Sequence, residues 1–395
     1  MSPLGGVLLP LAVTLAIQAL VAFAMYSAPV MAPVAAPELG VPASAVGYFV
    51  ALAYVGSMIG SASAGGWVAR AGPIRVSQVG LALCLAGLAL AASGRLPLVL
   101  AGAFLVGLGY GPTTPASSAI LARAAPPGAF SLVFSIKQTG VPAGGVLAGA
   151  LVPLLVLALG WRWSAVVVGA SCLALALAVA PVRARYDVGL NPRAPVSLAA
   201  AFQPLRLVAR LPALREMAVI SFIYGGVQIM LVTYLVSFLV ESFSLALVFA
   251  GGVMAVSQVA SVAGRIAWGA LADRGLGQRR VLGLLGLGMG ACALATLAAS
   301  PAWPQWLLFA FAAAFGATAV GWNGVFLAQV ARVAPPGQVS AATGACLAVT
   351  FLGVVLTPLV FNALLALGAS YALAYALLGL PALAIGARLA LKGGA

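Results

Sequence analysis

The chain has 395 residues, of which 64% are hydrophobic and only 6% are charged, and its formal net charge is +14. Soluble domains average about 25% charged residues, so this composition excludes a water-soluble domain. The apolar runs mostly reach about twenty residues, the length a helix needs to cross a hydrocarbon core of about 30 Å. A β-barrel would instead show short segments of alternating polarity. The sequence therefore predicts an all-α membrane protein.

Twelve apolar segments are predicted to cross the membrane. With the N-terminus inside, fifteen basic residues fall on the cytoplasmic side and only Arg95 and Arg162 on the other. This bias follows the positive-inside rule, so both termini are predicted to be cytoplasmic, in a bacterial-type inner membrane. The net charge then reflects topology and not a nucleic-acid partner. The segments are 7–33, 44–69, 76–93, 96–122, 129–158, 163–182, 214–240, 244–272, 280–299, 303–331, 338–366 and 369–388.

Several chemistries have no support in the composition. The sequence contains no histidine, which removes the commonest metal ligand and proton shuttle. No nucleophile–base pair or metal cluster is apparent, so we predict neither an enzyme nor a cofactor. Four cysteines lie inside apolar segments and are expected to be small buried residues and not disulfides. They are Cys84, Cys172, Cys292 and Cys346.

One long polar segment, 183–213, divides the chain into two halves. We predict an N-terminal six-helix bundle over 1–182, a cytoplasmic linker over 183–213 and a C-terminal six-helix bundle over 214–395. Within the linker, 197–210 is a candidate surface helix. The linker's arginines suit the neighbourhood of anionic lipid headgroups.

The two halves repeat. ARAAPPGAFS at 122–131 matches ARVAPPGQVS at 331–340, an offset of 209 residues, and GGWVARAGPIR at 65–75 corresponds to GALADRGLGQRR at 269–280. Two repeats in corresponding places indicate a duplicated six-helix unit, as in transporters built from two parallel halves.

GALADRGLGQRR resembles the signature loop of the major facilitator superfamily, which follows helix two and again helix eight. The resemblance extends over the whole chain, through the twelve spans, the central loop and both signature loops. In the first copy Ala69 stands where the family has an aspartate. The resemblance implies a charge latch between the halves, and a loop whose arginines only anchor it is the alternative. The expected gating residues are Asp273, Arg274, Arg280, Arg70 and Arg75.

Polar side chains inside membrane spans usually face a cavity or another helix. In the superfamily, helices one, four, seven and ten line the cavity, with two, five, eight and eleven beside them. We expect about half of the polar and aromatic residues on these helices to line the pathway, although helix packing is the alternative for each one. They are Gln18, Tyr26, Tyr54, Tyr110, Thr113, Thr114, Tyr224, Gln228, Gln258, Trp322 and Asn323.

Two cations, Lys137 and Arg265, are predicted to lie about 12 Å inside spans five and eight. Each costs about 2.5–3.5 kcal/mol near the bilayer centre, and no carboxylate is expected nearby. In the superfamily fold these spans meet, so the cations should face each other or a shared cavity, where an anion would relieve their repulsion. Gln138, beside Lys137, is included among the binding residues. The alternative is structural, with Lys137 snorkelling and Arg265 capping carbonyls.

Gly264-Arg265-x-x-x-Gly269 is similar to the helix-eight pattern of monocarboxylate and oxalate-type carriers, in which that arginine contacts the substrate carboxylate. The oxalate carriers also have a lysine in helix eleven. Here Cys346 and Thr350 occupy that region, and Lys137 lies in the pseudo-symmetric helix five.

The sequence thus predicts a monomeric secondary-active or facilitative transporter of a small organic anion, working by alternating access. The alternative is an efflux antiporter for drugs or other hydrophobic compounds. Gly140, Pro142, Gly144 and Gly145 resemble the glycine–proline motif of antiporter helices, with altered spacing. Against this, Ala103 stands about where drug antiporters carry an arginine, and no intramembrane acid suits proton exchange.

Uniport, anion exchange, a proton carried with the substrate and a proton shuttled by a lysine remain open. Glu216 and Glu241 are further candidates for coupling.

Overall fold

A computed structural model of the chain describes residues 5–124, 133, 136–196, 205–335 and 339–392. Every regular element within these residues is helical. Within the part of the chain that the structure describes, ten helical segments are long and apolar enough to cross a membrane. The prediction of an all-α protein with many membrane-spanning helices is therefore confirmed.

Two of the ten segments are far longer than one crossing requires. Ile136–Tyr186 has 51 residues and Leu247–Ala298 has 52, whereas about twenty suffice. Each contains a glycine with positive φ, at Gly160 (78°) and Gly275 (119°). These turns interrupt the helical backbone at places where the sequence predicts a turn between two spans.

The chain divides into two compact units. Unit 1 consists of Met1–Val41 and Leu52–Ala200, and unit 2 consists of Pro42–Ala51 and Ala201–Ala395. The boundary near residue 200 lies inside the predicted linker. The short segment Pro42–Ala51 belongs with unit 2 although it lies early in the chain.

In unit 1, the first helix packs along the sixth, and the third packs along the fourth and the sixth. The sixth helix continues across the break at Gly160. The helices are α1 (Gly5–Glu38), α2 (Val46–Ala71, entering unit 1 at Leu52), α3 (Pro73–Ala92), α4 (Leu96–Tyr110), α5 (Thr113–Ala124), α6 (Gly140–Ala178) and α7 (Arg183–Tyr186).

Unit 2 contains α8 (Leu205–Arg210), α9 (Pro212–Phe243), α10 (Leu247–Leu271), α11 (Gly277–Ala295), α12 (Gln305–Ala319), α13 (Asn323–Val333), α14 (Val339–Ala366) and α15 (Tyr371–Lys392). Helix α9 packs along α14, α11 along α15 and α10 along α12. The α9–α14 and α11–α15 pairs correspond to the α1–α6 and α3–α6 pairs of unit 1, because α6 contains two predicted spans. The internal repeat of the sequence is therefore also a repeat of helix pairing.

Glycines bring corresponding helices together at matching positions. Gly107 on α4 lies against the backbone of Ala53, and Gly316 on α12 lies against the backbone of Ser257. The two glycines are separated by the same 209 residues as the sequence repeat. A side chain at either position would meet a neighbouring carbonyl, so glycine is required there for close helix approach.

Some sequence predictions concern residues that the structure does not describe. Most of the repeated junction at 122–131, the predicted start of span five at 129, part of the junction at 331–340 and residues 197–204 of the candidate linker helix lie outside the described residues. The remainder of that candidate, Leu205–Arg210, is helical.

Candidate functional site

Helical breaks in both units expose backbone groups beside polar side chains. Helix α4 ends at Tyr110 and α5 begins at Thr113, while α12 ends at Ala319 and α13 begins at Asn323. The breaks coincide with the GYGPTTP and GWNG stretches. The Thr113 hydroxyl donates to the Tyr110 carbonyl at 2.7 Å, which satisfies one backbone group freed by the first break.

In unit 1, the break lies beside a buried lysine. The Lys137 ammonium donates to Gln18 Oε1 at 2.9 Å, Gln138 Oε1 at 3.1 Å and Thr114 Oγ1 at 3.3 Å. Lys137 is only 2% exposed. Three acceptors match the three donors of an ammonium, so its hydrogen-bonding capacity is filled by neutral groups.

The Gln18 amide is oriented by this lysine. Its oxygen accepts from both Lys137 Nζ and the Thr114 hydroxyl, at 2.9 and 3.0 Å. Rotating the amide by 180° would place its NH2 group against the ammonium. The hydrogen bonds therefore fix which terminal atom of Gln18 is the oxygen and which is the nitrogen. As a result the Gln18 Nε2 group is buried and has no hydrogen-bond partner within the described residues. The cluster thus contains a positive charge and an unused donor on one buried amide.

None of the five carboxylates, all of which lie within the described residues, forms an ion pair with Lys137. A buried ammonium without a counter-ion is costly, and neutral acceptors offset only part of that cost. The charge of Lys137 is therefore only partly compensated within the described residues.

Unit 2 contains a corresponding cluster without the cation. Gln228 Oε1 accepts from Trp322 Nε1 at 3.0 Å and from Asn323 Nδ2 at 3.2 Å. Tyr224 lies edge-on to Trp322, with ring centroids 5.9 Å apart, and its hydroxyl donates to the Leu282 carbonyl at 2.7 Å. Four of the predicted binding residues are therefore brought together.

The two clusters occupy repeated positions. Thr114 and Asn323 are separated by the repeat offset of 209 residues, and Gln18 and Gln228 by nearly the same number. The residue that corresponds to Lys137 is Cys346, which is fully buried on α14. Both units therefore have a glutamine beside a helix break, and only the cluster of unit 1 contains an ammonium group.

Arg265 lies on α10 in unit 2 and is partly buried. Its Nε donates at 3.2 Å to the carbonyl of Val320, in the break between α12 and α13. Trp268, one turn along, donates to the Ala317 carbonyl at 3.0 Å. Arg265 therefore stabilises the backbone break next to the Gln228 cluster, a structural role that leaves its proposed part in binding untested.

The other polar and aromatic residues predicted to line the pathway are distributed over both units. Tyr54 and Tyr110 pack edge to face at 6.3 Å, and both Tyr54 and Tyr26 are buried. Gln258 is buried in unit 2 and its amide is 3.4 Å from the Ser257 hydroxyl.

An aspartate of the linker, Asp187, caps the helix that follows the first signature loop. The sequence did not predict this contact. Asp187 accepts from the backbone N–H groups of Ile74 and Arg75, at 2.8 and 3.1 Å, and pairs with Arg183 at 3.3 Å. A carboxylate at a helix N-terminus satisfies free N–H groups and complements the helix dipole. Asp187 therefore stabilises the start of α3, in a loop whose own aspartate position is Ala69.

The expected gating residue Arg70 also contacts the linker. Its Nε donates to the Ala194 carbonyl at 2.7 Å, and Asn191 donates from its backbone N–H to the Ala69 carbonyl at 2.8 Å. The first part of the linker is thus held against the first loop by side-chain and backbone hydrogen bonds.

The second loop is arranged differently. Asp273, Arg274 and Arg280 are exposed, and Asp273 forms no ion pair with any residue that the structure describes. Instead Glu216 pairs with Arg279 at 2.9 Å and with Arg388 at 3.6 Å. The gating role of the five predicted residues remains a prediction.

Comparison with known proteins agrees with this architecture. The family model for the Major Facilitator Superfamily matches residues 14–358. No match to a curated protein sequence is significant.

Solved transporters share the fold at low sequence identity. A mutant of the nucleoside transporter NupG is 14% identical with a TM-score of 0.76, covering 97% of this chain and 98% of its own. The peptide transporter POT in complex with sulfate is 17% identical with a TM-score of 0.74, covering 96% and 93%. The D-xylose-proton symporter is 16% identical with a TM-score of 0.71, covering 97% and 98%.

The apolar helices of the described residues and the family match over residues 14–358 identify a multi-pass membrane transporter and not an enzyme. The chain belongs to the Major Facilitator Superfamily.

Proposed function

We propose that this transporter carries a small organic anion, most simply a carboxylate, by alternating access in a secondary-active or facilitative manner. The observation that carries the proposal is the Lys137 ammonium, buried among three neutral acceptors and paired with no carboxylate of the described chain. Buried charges in membrane segments commonly mark a substrate or ion pathway.

An anion can enter this network by exchange of hydrogen bonds. The longest bond of the ammonium is that to Thr114, at 3.3 Å, and a carboxylate oxygen taking its place would form a shorter, charge-assisted bond. The unpartnered Gln18 Nε2 is bonded to the same carbon as the Oε1 that contacts Lys137, so it is available to the second carboxylate oxygen. When the Lys137–Thr114 bond is lost, the Thr114 hydroxyl still donates to Gln18 Oε1.

In unit 2, we assign the corresponding role to Arg265. A guanidinium has five N–H donors in a planar fork that suits carboxylates, and Nε is the donor to the Val320 carbonyl. The Gln228 cluster and Gln258 supply neutral polar groups in the same unit. The binding roles of Lys137 and Arg265 are tested separately, by Lys137→Met and Arg265→Gln.

The proposed topology has twelve crossings in two six-helix halves, with both termini cytoplasmic in an inner membrane and the transporter acting as a monomer. The two segments of 51 and 52 residues support it, because each would contribute two crossings around its glycine break. The excess of arginine on one predicted side gives the orientation.

A thermal-shift screen of the purified protein tests the proposal. Acetate, lactate, oxalate and succinate should raise Tm, since a ligand at 100 times its Kd stabilises by about 2.7 kcal/mol. Lys137→Met and Arg265→Gln should each abolish the shift. Arg332→Gln, which removes an exposed arginine of unit 2, should retain it.

The same screen includes a cationic dye and neutral lipophiles. Stabilisation by these compounds, unchanged in Lys137→Met and Arg265→Gln and without a carboxylate effect, would favour the efflux antiporter over the anion carrier.

A further inference from the structure

A groove in unit 2 is lined by residues that do not belong to the Gln228 cluster. It is a cavity of about 350 Å³ between the start of α9 and the end of α15. Arg215, Glu216 and Arg388 line it on the polar side, and Val219, Ile385 and Leu389 line it on the apolar side. Both helices are long enough to cross a membrane, so the groove lies at the ends of membrane-spanning helices.

The charges around the groove are predominantly positive. Glu216 accepts from Arg279 at 2.9 Å and is 3.6 Å from Arg388, and Arg215 is the next residue on α9. Three guanidinium groups and one carboxylate leave two positive charges in excess. The guanidinium groups of Arg279 and Arg388 are held in place by a carboxylate that can neutralise only one of them.

One of these arginines has an unsatisfied donor. The Nε of Arg279 is buried and has no hydrogen-bond partner among the described residues, although its Nη2 bonds Glu216. Buried donors are rarely left without a partner. In the part of the chain that the structure describes, the same guanidinium contacts the groove only through Glu216, which lines it.

We propose that this groove binds the phosphate headgroup of an anionic phospholipid. The arginines match a phosphate in charge and in bidentate geometry. The apolar wall points to a lipid as the source of that phosphate, because Val219 is 53% exposed and a headgroup with attached acyl chains would cover it. A free phosphate would leave that apolar surface uncovered.

The test measures lipid binding to the full chain by native mass spectrometry in a neutral detergent. Dioleoylphosphatidylglycerol should bind in preference to dioleoylphosphatidylcholine. The double variant Arg215→Gln/Arg388→Gln should weaken phosphatidylglycerol binding by about fivefold for each arginine removed. The matched control Arg123→Gln/Arg332→Gln removes two exposed arginines outside the linker and the groove and should bind as the wild type does.

Three results would overturn the proposal. Equal binding of the two lipids would show that the headgroup is not recognised. Equal loss in the control double variant would show that only net charge matters. If inorganic phosphate or glycerol 1-phosphate displaces phosphatidylglycerol at equal concentration, the groove is a site for a free anion and not for a lipid.

A melting curve in neutral detergent without lipid shows whether the variants fold. If Arg215→Gln/Arg388→Gln is unfolded, Arg215→Gln alone provides the comparison, because no ion pair of Arg215 is broken within the described residues. Retention of full phosphatidylglycerol binding by that folded variant would also contradict the proposal.

Discussion

The polar clusters of the two units differ in one decisive group. In unit 1 the Gln18 oxygen accepts from Thr114 and the Lys137 ammonium, and in unit 2 the Gln228 oxygen accepts from Asn323 and the Trp322 indole. The scaffold, a glutamine against a helix break, is common to both. The difference shows that the two copies of a duplicated framework can share a hydrogen-bonding geometry while only one of them has a lysine in the cluster.

The comparison also separates a structural role from a binding role. In each unit, the glutamine oxygen accepts a hydrogen bond from a side chain at the helix break, Thr114 in unit 1 and Asn323 in unit 2. This role is structural and common to both units. The ammonium of unit 1 is not needed for this purpose, because Cys346 occupies the corresponding position in unit 2. The cost of burying a charge therefore requires another explanation, and anion binding provides one.

The largest effect on transport is expected at Lys137, whose counterpart in unit 2 is Cys346. Lys137→Met removes the ammonium but keeps an unbranched side chain, and uptake of the carboxylate should fall by about 10- to 100-fold, the value of a charged hydrogen bond of about 1.5–3 kcal/mol. Cys346→Ala should change uptake by about twofold or less, because a buried cysteine acts as a small apolar residue. Initial rates in proteoliposomes measure both. Equal losses in the two variants would remove the functional distinction between the units.

The glutamines should differ in their effect on stability. Gln18→Leu deprives a buried ammonium of its shortest hydrogen bond and should lower the free energy of unfolding by about 1.5–3 kcal/mol. Gln228→Leu deprives neutral donors of Trp322 and Asn323, so a smaller loss of about 1 kcal/mol is expected. Unfolding in a denaturing detergent titration measures both values. A larger loss for Gln228→Leu would mean that the charge does not dominate the unit 1 cluster.

The glycine contacts should behave alike in the two units. Gly107→Ala and Gly316→Ala each place a methyl group against a backbone carbonyl and should destabilise by about 1–3 kcal/mol. Gly65→Ala, which meets nothing within 4 Å, should instead stabilise by about 0.5–1 kcal/mol. Melting temperatures give the signs. Neutral or stabilising effects at both contact positions would argue against the close helix approach.

The smallest effect concerns the two signature loops. Asp187→Ala removes the acceptor for two N–H groups at the start of α3 and should cost about 1 kcal/mol of stability. Asp273→Ala, at an exposed position of the second loop, should stay within about 0.5 kcal/mol. The same melting experiment compares them. If Asp273→Ala is the more destabilising, the second loop has a stabilising contact for its aspartate.

Sequence reasoning reached the class of the protein and the repeat because both depend on local patterns. Apolar length and loop charge indicate membrane spans, and the repeated loops indicate duplication. The same reasoning identified Lys137 as a buried cation and placed Gln18, Thr114 and Gln228 among the polar residues of the spans.

Sequence reasoning could not predict which residues that are distant in the chain contact each other. Gln18 and Lys137 are 119 positions apart, and nothing in their local sequence connects them. Asp187 and Ile74 are 113 positions apart, so the linker's aspartate gave no sign that it caps the helix after the first loop. The Arg279–Glu216 pair was missed for the same reason, since charge spacing along a helix does not predict contacts between helices.

The most direct test of the central claim is counterflow in proteoliposomes. Vesicles loaded with unlabelled lactate or oxalate should take up the labelled anion through the wild-type protein, and uptake through Lys137→Met should be about 10- to 100-fold slower. Cys346→Ala should match the wild type. Counterflow of neither anion through the wild type, or undiminished counterflow through Lys137→Met, would contradict the account.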